Sequence, residues 1–136
     1  MKRILLCAAF AISTIGIAHA ADKPIITPVL STAQTMTGQA IEVPANPQVI
    51  VTTVEIPPGA KLPVHKHPFA RYGYVMEGTL TGTQTDTGKT FTYTPGTFIV
   101  EMRGQWHSAV NDGAVPVKLL VIDQVPIGTK SNTIVK

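Results

Sequence analysis

Cysteine is nearly absent from this sequence of 136 residues. Its single example, Cys7, lies in an apolar stretch close to the start of the chain. A leader cleaved after that stretch would take Cys7 with it and leave no cysteine in the mature chain. Disulfide bonds, a thiol nucleophile and zinc–thiolate sites would then all be excluded.

Charge is also sparse, since only 14% of the residues are charged. The formal net charge of +3 includes Lys2 and Arg3, which precede the apolar stretch. Without these two, the 11 basic residues fall to 9 against 8 acidic ones, so the mature net charge is about +1. No basic stripe remains, which argues against a nucleic-acid partner.

The first 20 residues have the pattern of a secretory signal peptide. A basic start precedes an apolar, uncharged run over residues 4–17, and "AHA" at residues 18–20 supplies the small residues that signal peptidase reads. The run is shorter than the ~20 residues that cross a bilayer comfortably, which disfavours the alternative of a retained anchor. We expect cleavage between Ala20 and Ala21, no membrane span afterwards, and a periplasmic or secreted protein.

The remaining chain divides into an arm, a β domain and a tail. Residues 21–47 contain four prolines and predict an extended N-terminal arm, because proline excludes a long helix. Residues 48–126 consist of short β-branched and Thr-rich segments separated by turn residues, the pattern of an all-β sandwich or barrel. The tail, residues 127–136, is polar, and we expect it to be loose.

The mature chain has three histidines, which are candidates for metal binding. His65 and His67 point to the same side of an extended strand and so offer a two-point chelate. His107 must arrive from another strand to complete a face of three imidazoles. Histidines without a metal are the alternative, because His-x-His alone is a short pattern.

Each histidine belongs to a longer pattern of spaced residues. Residues 59–78 read G-x5-H-x-H-x3-R-x6-G, and residues 96–111 read G-x5-M-x-G-x2-H-x3-N. These blocks resemble the two motifs of the cupin family, G-x5-H-x-H-x3,4-E-x6-G and G-x5-P-x-G-x2-H-x3-N. Every glycine, every histidine and the final asparagine match. Two positions depart, because Arg71 replaces the glutamate and Met102 the proline.

The resemblance implies a fold and a site. Cupins are antiparallel β-barrels of jelly-roll type, here expected over residues 48–126. Their divalent metal lies inside the barrel, so the resemblance assigns His65, His67 and His107 as ligands and puts Arg71 where the acidic ligand stands. The ligand set does not distinguish Fe, Mn, Zn, Ni and Cu, with Fe slightly preferred.

Arg71 leaves three alternatives open, because a guanidinium stays protonated and cannot bind a metal. It can point inward and hold a substrate anion beside the metal, for which its planar fork is suited. It can turn away and pair with an acid such as Glu77 or Glu101. In the third alternative no metal binds, and the cationic pocket takes an anionic or polar ligand unaided.

Glu101 is the one candidate to replace the missing acidic ligand. Strand alternation leaves open whether its side chain faces inward or outward. A lone glutamate on a strand faces solvent more often than it binds a metal, so we expect Glu101 to face solvent.

Two functions are compatible with these features. The first is a metal-dependent enzyme resembling the non-haem dioxygenases, with Arg71 binding the charge of a small anionic substrate. The second is a non-catalytic module that binds a small ligand or a metal. Cupins of this size often pair, so the resemblance also implies a homodimer, with the arm as a segment that partners exchange.

Overall fold

A computed structural model describes residues 23–136, which form two antiparallel β-sheets without any α-helix. The predicted signal peptide, residues 1–20, lies outside these residues. Within the described part of the chain there is no helix long and apolar enough to span a membrane.

Nine strands follow one another with short connections, as the turn residues predicted. They are β1 (Pro47–Ile56), β2 (Lys61–Lys66), β3 (Ala70–Glu77), β4 (Leu80–Gln84), β5 (Thr90–Tyr93), β6 (Phe98–Val100), β7 (His107–Val110), β8 (Val117–Pro126) and β9 (Ile134–Val135).

The strands build a jelly roll of two sheets, which confirms the predicted fold class. One sheet has the order β1-β8-β3-β6 and the other the order β5-β4-β7-β2-β9. The core between them is aliphatic and includes Ile56, Val75, Leu80, Ile99 and Val117. Burial of this apolar surface is the main driving force that holds the two sheets face to face.

The arm is extended, and its second half is attached to the domain. Residues 34–40 form a small loop closed by a bridge between Gln34 and Ala40. The Met36 N–H donates to the Val100 carbonyl at 2.8 Å, and the Met36 side chain packs against the core. This loop therefore covers one end of the space between the sheets.

The tail is docked on the domain, contrary to the expectation that it is loose. β9 pairs with β2, with Val135 opposite His65. Asn132, just before β9, is among the most buried side chains of the described chain, with 1% of its surface exposed. The polar sequence of the tail did not predict this docking, because the tail is stabilised by buried hydrogen bonds and not by apolar contacts.

Candidate metal centre

The structure brings the three predicted histidines together inside the jelly roll. His65 lies on β2 and is paired with His107 on β7, while His67 follows β2 directly. Their ring centroids are 4.3 to 4.9 Å apart. One ligand atom from each residue lies within 4.8 Å of those of the other two, and all three side chains are buried. The same-face argument for His65 and His67 is therefore confirmed.

Each imidazole is held by a backbone carbonyl at its Nδ1 atom. The distances are 2.7 Å from His65 to Pro63, 2.8 Å from His67 to Asn132 and 3.0 Å from His107 to Gln105. Because a carbonyl oxygen only accepts, we assign the proton to Nδ1 in all three rings. In the neutral form each Nε2 then carries a lone pair, the atom and state that bind a metal.

Glu101 faces the histidines and not the solvent, so the expectation for this residue was wrong. Its Oε2 atom lies 3.1 Å from His67 Nε2 and 3.4 Å from His107 Nε2. The reason is the strand pairing: Glu101 follows β6, and its N–H donates to the carbonyl of Arg71 at 2.9 Å. The carboxylate thus enters the site from the strand beside the one that carries Arg71.

The protonation of the cluster follows from burial and from this carboxylate. Burial lowers the pKa of His65, and the neighbouring His107 and His67 lower it further. Burial alone would also lower the pKa of His107, but its contact with the Glu101 carboxylate raises it above the ordinary value. Burial alone would raise the pKa of Glu101, yet its contacts with His107 and His67 hold that pKa well below the usual range.

These donors fit a bound cation. Two lone pairs on facing N and O atoms at 3.1 to 3.4 Å repel each other unless a proton or a metal ion neutralises them. His107 Nε2 is buried without a hydrogen-bond partner, which a buried polar atom rarely tolerates. Three imidazole nitrogens and one carboxylate oxygen suit Zn and first-row transition metals. The residues present therefore fit the divalent ion that the family motifs imply.

Arg71 lies at the same site but pairs with Asp123 rather than with Glu77 or Glu101, the two acids expected from the sequence. Its Nε and Nη2 atoms donate to the two carboxylate oxygens of Asp123 at 2.7 and 2.8 Å. Its third nitrogen, Nη1, lies 3.5 Å from His67 Nε2. Asp123 stands opposite Arg71 on β8. A single acid within this mostly apolar strand was the one signal of a paired carboxylate, but its partner depends on which strand lies beside β8.

The replacement of the motif glutamate by arginine had suggested a strongly cationic pocket. The structure shows that the pocket is not strongly cationic. The bidentate pair with Asp123 neutralises Arg71, which is the geometry in which arginine and carboxylate interact most strongly. Glu101 adds one negative charge next to the histidines. A divalent ion at this site would face a net charge of about −1 from the side chains, which favours its binding.

The site forms the polar end of an internal cavity of about 80 Å³. Most of the wall is apolar, and four of the polar side chains discussed above, His65, Arg71, Glu101 and His107, line it. The apolar part of the wall includes Met36, Val54, Leu62, Leu80, Leu119 and Val121. A cavity of this kind suits a small molecule with an apolar body and one polar group.

Comparison with protein-family models finds a match to the cupin domain over residues 52–123. This range includes all three histidines, Arg71 and Glu101, and it covers more than half of the chain. No curated protein matches the sequence significantly.

Solved structures with the same fold are numerous, and three illustrate their range. A polyketide cyclase, RemF from Streptomyces resistomycificus, is 24% identical with a TM-score of 0.52, over 65% of this chain and 66% of the cyclase. An uncharacterised protein with a double-stranded β-helix domain from Klebsiella pneumoniae is 18% identical with a TM-score of 0.55, over 83% of this chain and 97% of that one.

The third is a sugar phosphate isomerase of the cupin superfamily from Silicibacter pomeroyi. It is 30% identical with a TM-score of 0.50, over 57% of this chain and 51% of the isomerase. The chain thus spans less than two thirds of the length of that enzyme. The first two likenesses show the fold alone, and the names of the three relatives point to no single reaction.

Proposed function

This chain belongs to the cupin family, and from that premise we propose that it is a metalloprotein that binds one divalent ion and acts on a small molecule in its internal cavity. The proposed ligands are His65, His67 and His107, with Glu101 supplying the carboxylate that this chain lacks at the motif position occupied by Arg71. Fe is slightly preferred among the divalent metals, as the resemblance to non-haem dioxygenases suggests.

The observation that carries the proposal is the orientation of the three imidazoles. With each Nδ1 bonded to a backbone carbonyl, the ring positions are fixed before any ion arrives. Such outer bonds orient metal-binding histidines in proteins generally and increase their basicity. Three buried histidines serving only the core would not need to bring one ring nitrogen each to within 4.8 Å of those of the other two.

The cavity supports a small anionic substrate with an apolar body. Nη1 is the guanidinium nitrogen of Arg71 that Asp123 does not bind, and it lies beside His67. An anionic group at the polar end would accept a hydrogen bond from Nη1, while aliphatic side chains such as Leu62 and Leu80 contact the rest of the molecule. Asp123 holds the guanidinium in place, so its direction is set in advance.

The proposed reaction is an oxygenation, in which both atoms of O2 enter the substrate. A redox-active ion such as iron, when bound, supplies the activation of O2. Among the described residues that line the cavity, Glu101 is the only carboxylate, and it is committed to the histidines. A second carboxylate, as general-base hydrolysis would require beside the ligand, is not found there, which favours chemistry carried by the ion and O2.

The test combines metal analysis with oxygen uptake. We expect about one equivalent of a divalent transition metal, Fe foremost, in protein isolated from its own compartment, and O2 consumption with members of a panel of small carboxylic acids. His107→Ala should abolish both the bound metal and the O2 consumption. His19 lies in the expected leader, so its replacement should change neither. Protein that contains no metal and binds none when Fe²⁺ or Zn²⁺ is added would contradict the proposal.

A second candidate function is a module that captures a small ligand or a metal without turnover. It is favoured by the neutralisation of Arg71, which leaves one free donor nitrogen for a substrate anion. Stoichiometric metal together with ligand binding, but no O2 uptake and no change of the ligand, would identify this function.

We also propose that the protein works in the periplasm or outside the cell. The leader pattern of residues 1–20 and the position of the sole cysteine within it support this location. N-terminal sequencing of the protein from a periplasmic extract should begin at Ala21, and recovery of intact Met1 from the cytoplasm would contradict it.

A further inference from the structure

Asn132 is a buried asparagine in the tail whose hydrogen bonds are all satisfied by the site and its surroundings. Its side-chain oxygen accepts from the Phe69 N–H at 3.0 Å. Its side-chain nitrogen donates to Asp123 Oδ1 at 2.6 Å and to the Phe69 carbonyl at 3.2 Å. With 1% of its surface exposed, this side chain fixes the position of its own backbone.

That backbone contacts the proposed metal ligand His67 directly. The carbonyl of Asn132 accepts from His67 Nδ1 at 2.8 Å and so sets which ring nitrogen carries the proton. The same residue therefore holds His67 through its main chain and Asp123, the partner of Arg71, through its side chain. The metal ligand and the guanidinium are oriented by one residue that lies outside both cupin motifs.

The rest of the tail attaches this contact to the strand that carries His65. β9 pairs with β2, and the Lys136 N–H donates to the Val64 carbonyl at 3.0 Å. Trp106, next to His107, has the Lys66 ammonium 4.6 Å and the Lys136 ammonium 5.8 Å from its ring centroid. The docked tail thus contacts the segments that carry all three histidines.

We propose that Asn132 is a positioning residue for the metal centre, and that the docked tail keeps His67 in the tautomer and orientation that bind the ion. This inference rests on the proposed metal binding. Asn132→Ala keeps the carbonyl that accepts from His67 but removes the side-chain hydrogen bonds that hold this carbonyl in place. Disruption of an outer partner of a metal-binding histidine typically weakens metal affinity about 10- to 100-fold, and we expect a loss of Zn²⁺ affinity in this range.

Asn111 provides a matched control for the loss of a buried asparagine. It is fully buried, its side-chain nitrogen donates to the carbonyls of Ile56 and Val115, and its oxygen accepts from the Gly113 N–H. None of these hydrogen bonds involves a histidine of the site. Asn111→Ala should therefore lower the stability as Asn132→Ala does, but leave the Zn²⁺ affinity as in the wild type.

The experiment is a Zn²⁺ titration of the full mature chain against a chromophoric chelator, for wild type and both variants. Long-range ¹H–¹⁵N spectra of the metal-free proteins at ~pH 8, above the ordinary imidazole pKa, report the tautomer of His67 independently. We expect the Nδ1–H form in wild type and Asn111→Ala, and a mixture of tautomers in Asn132→Ala. Asn132→Ser keeps a side-chain donor and acceptor and adds no charge beside Asp123, so it replaces Asn132→Ala if that variant does not fold.

The outcomes separate the two proposals. Equal Zn²⁺ affinities for Asn132→Ala and Asn111→Ala would overturn the role of Asn132. If the wild type itself binds no Zn²⁺, the proposed function fails, and the His67 tautomer still decides whether Asn132 orients that ring. An unchanged tautomer in the variant would overturn the inference in either case.

Discussion

Arg71 and Glu101 are neighbours across two antiparallel strands, and only the first of them occupies the motif position of an acid. The motif places the acid on β3, where Arg71 stands. Here the acid lies one strand away, directly after β6, and the Glu101 N–H donates to the Arg71 carbonyl. The carboxylate reaches the same histidines from this position, so the site keeps an acid while gaining a guanidinium whose charge Asp123 neutralises.

Replacing Glu101 tests whether this relocated carboxylate supports metal binding. Glu101→Gln keeps the size of the side chain but removes its negative charge and replaces one of the two carboxylate oxygens by an NH2 group, which cannot bind a metal. We expect metal affinity to fall about 10- to 100-fold, as for other groups close to a metal, measured by titration with Zn²⁺. Glu77→Gln is the control, since Glu77 pairs with Lys118 on the surface. Equal affinities in both variants would show that Glu101 takes no part.

The Arg71–Asp123 pair should behave as a coupled unit in stability measurements. Both side chains are largely buried, so removing one leaves an unpaired charge in a poorly solvated place. Arg71→Ala or Asp123→Ala should each cost about 3 to 5 kcal/mol in free energy of unfolding. The double variant should cost about 1 to 3 kcal/mol less than the two losses combined. Urea denaturation of the four proteins measures this, and additive losses would contradict the coupling.

At the scale of the elements, the turn between β3 and β4 depends on Gly78. Its φ is +75°, and a Cβ at this position would lie 2.5 Å from the Pro116 carbonyl oxygen and 2.8 Å from Val117 Cα. Both contacts are with backbone, which cannot rotate away. The segment between β7 and β8 therefore packs directly over this glycine and connects the two sheets at this end.

A comparison with Gly88 separates the steric reason for a glycine at position 78 from the conformational one. It has a similar φ of +69°, but no atom lies within 4 Å of an added Cβ. Gly88→Ala should cost about 1 kcal/mol, the conformational penalty alone. Gly78→Ala should cost about 1 to 3 kcal/mol more, because the chain must shift to admit the methyl group. Thermal or urea unfolding of the two variants gives the difference, and equal losses would contradict the close approach.

How much of the fold and the site the sequence could predict depends on how far apart the interacting residues are along the chain. That the side chains of His65 and His67 point to the same side follows from strand alternation. That His107 lies beside them follows from the resemblance to the spaced motif. Glu101 and Asp123 could not be placed, because their roles depend on which strands become neighbours in the sheet. Asn132 was missed for the same reason: its partners His67 and Phe69 lie about sixty residues earlier in the chain, and its own segment is polar.

At the scale of the whole molecule, the described chain leaves one long sheet edge and one apolar segment without a partner. β1 is at the edge of its sheet, and Val49 and Val51 on it are exposed. In the arm, Ile25 and Ile26 are 93% and 88% exposed. Exposed edges and apolar segments of this kind promote association. We expect a homodimer in which the arm of each copy lies along β1 of the other.

Charges placed in the arm should therefore abolish the dimer and leave the domain folded. Ile25→Asp with Ile26→Asp would put two carboxylates into the expected interface, where they cannot be solvated. Ile134→Asp is the matched control, because Ile134 is 46% exposed but lies on β9, in the sheet that does not contain β1. Sedimentation equilibrium should give a dimer for the wild type and Ile134→Asp, and a monomer for the double arm variant. Because neither arm residue belongs to the cavity wall, the monomer should still bind Zn²⁺ with wild-type affinity. A monomeric wild type, or a double variant that remains dimeric, would contradict the exchange of arms.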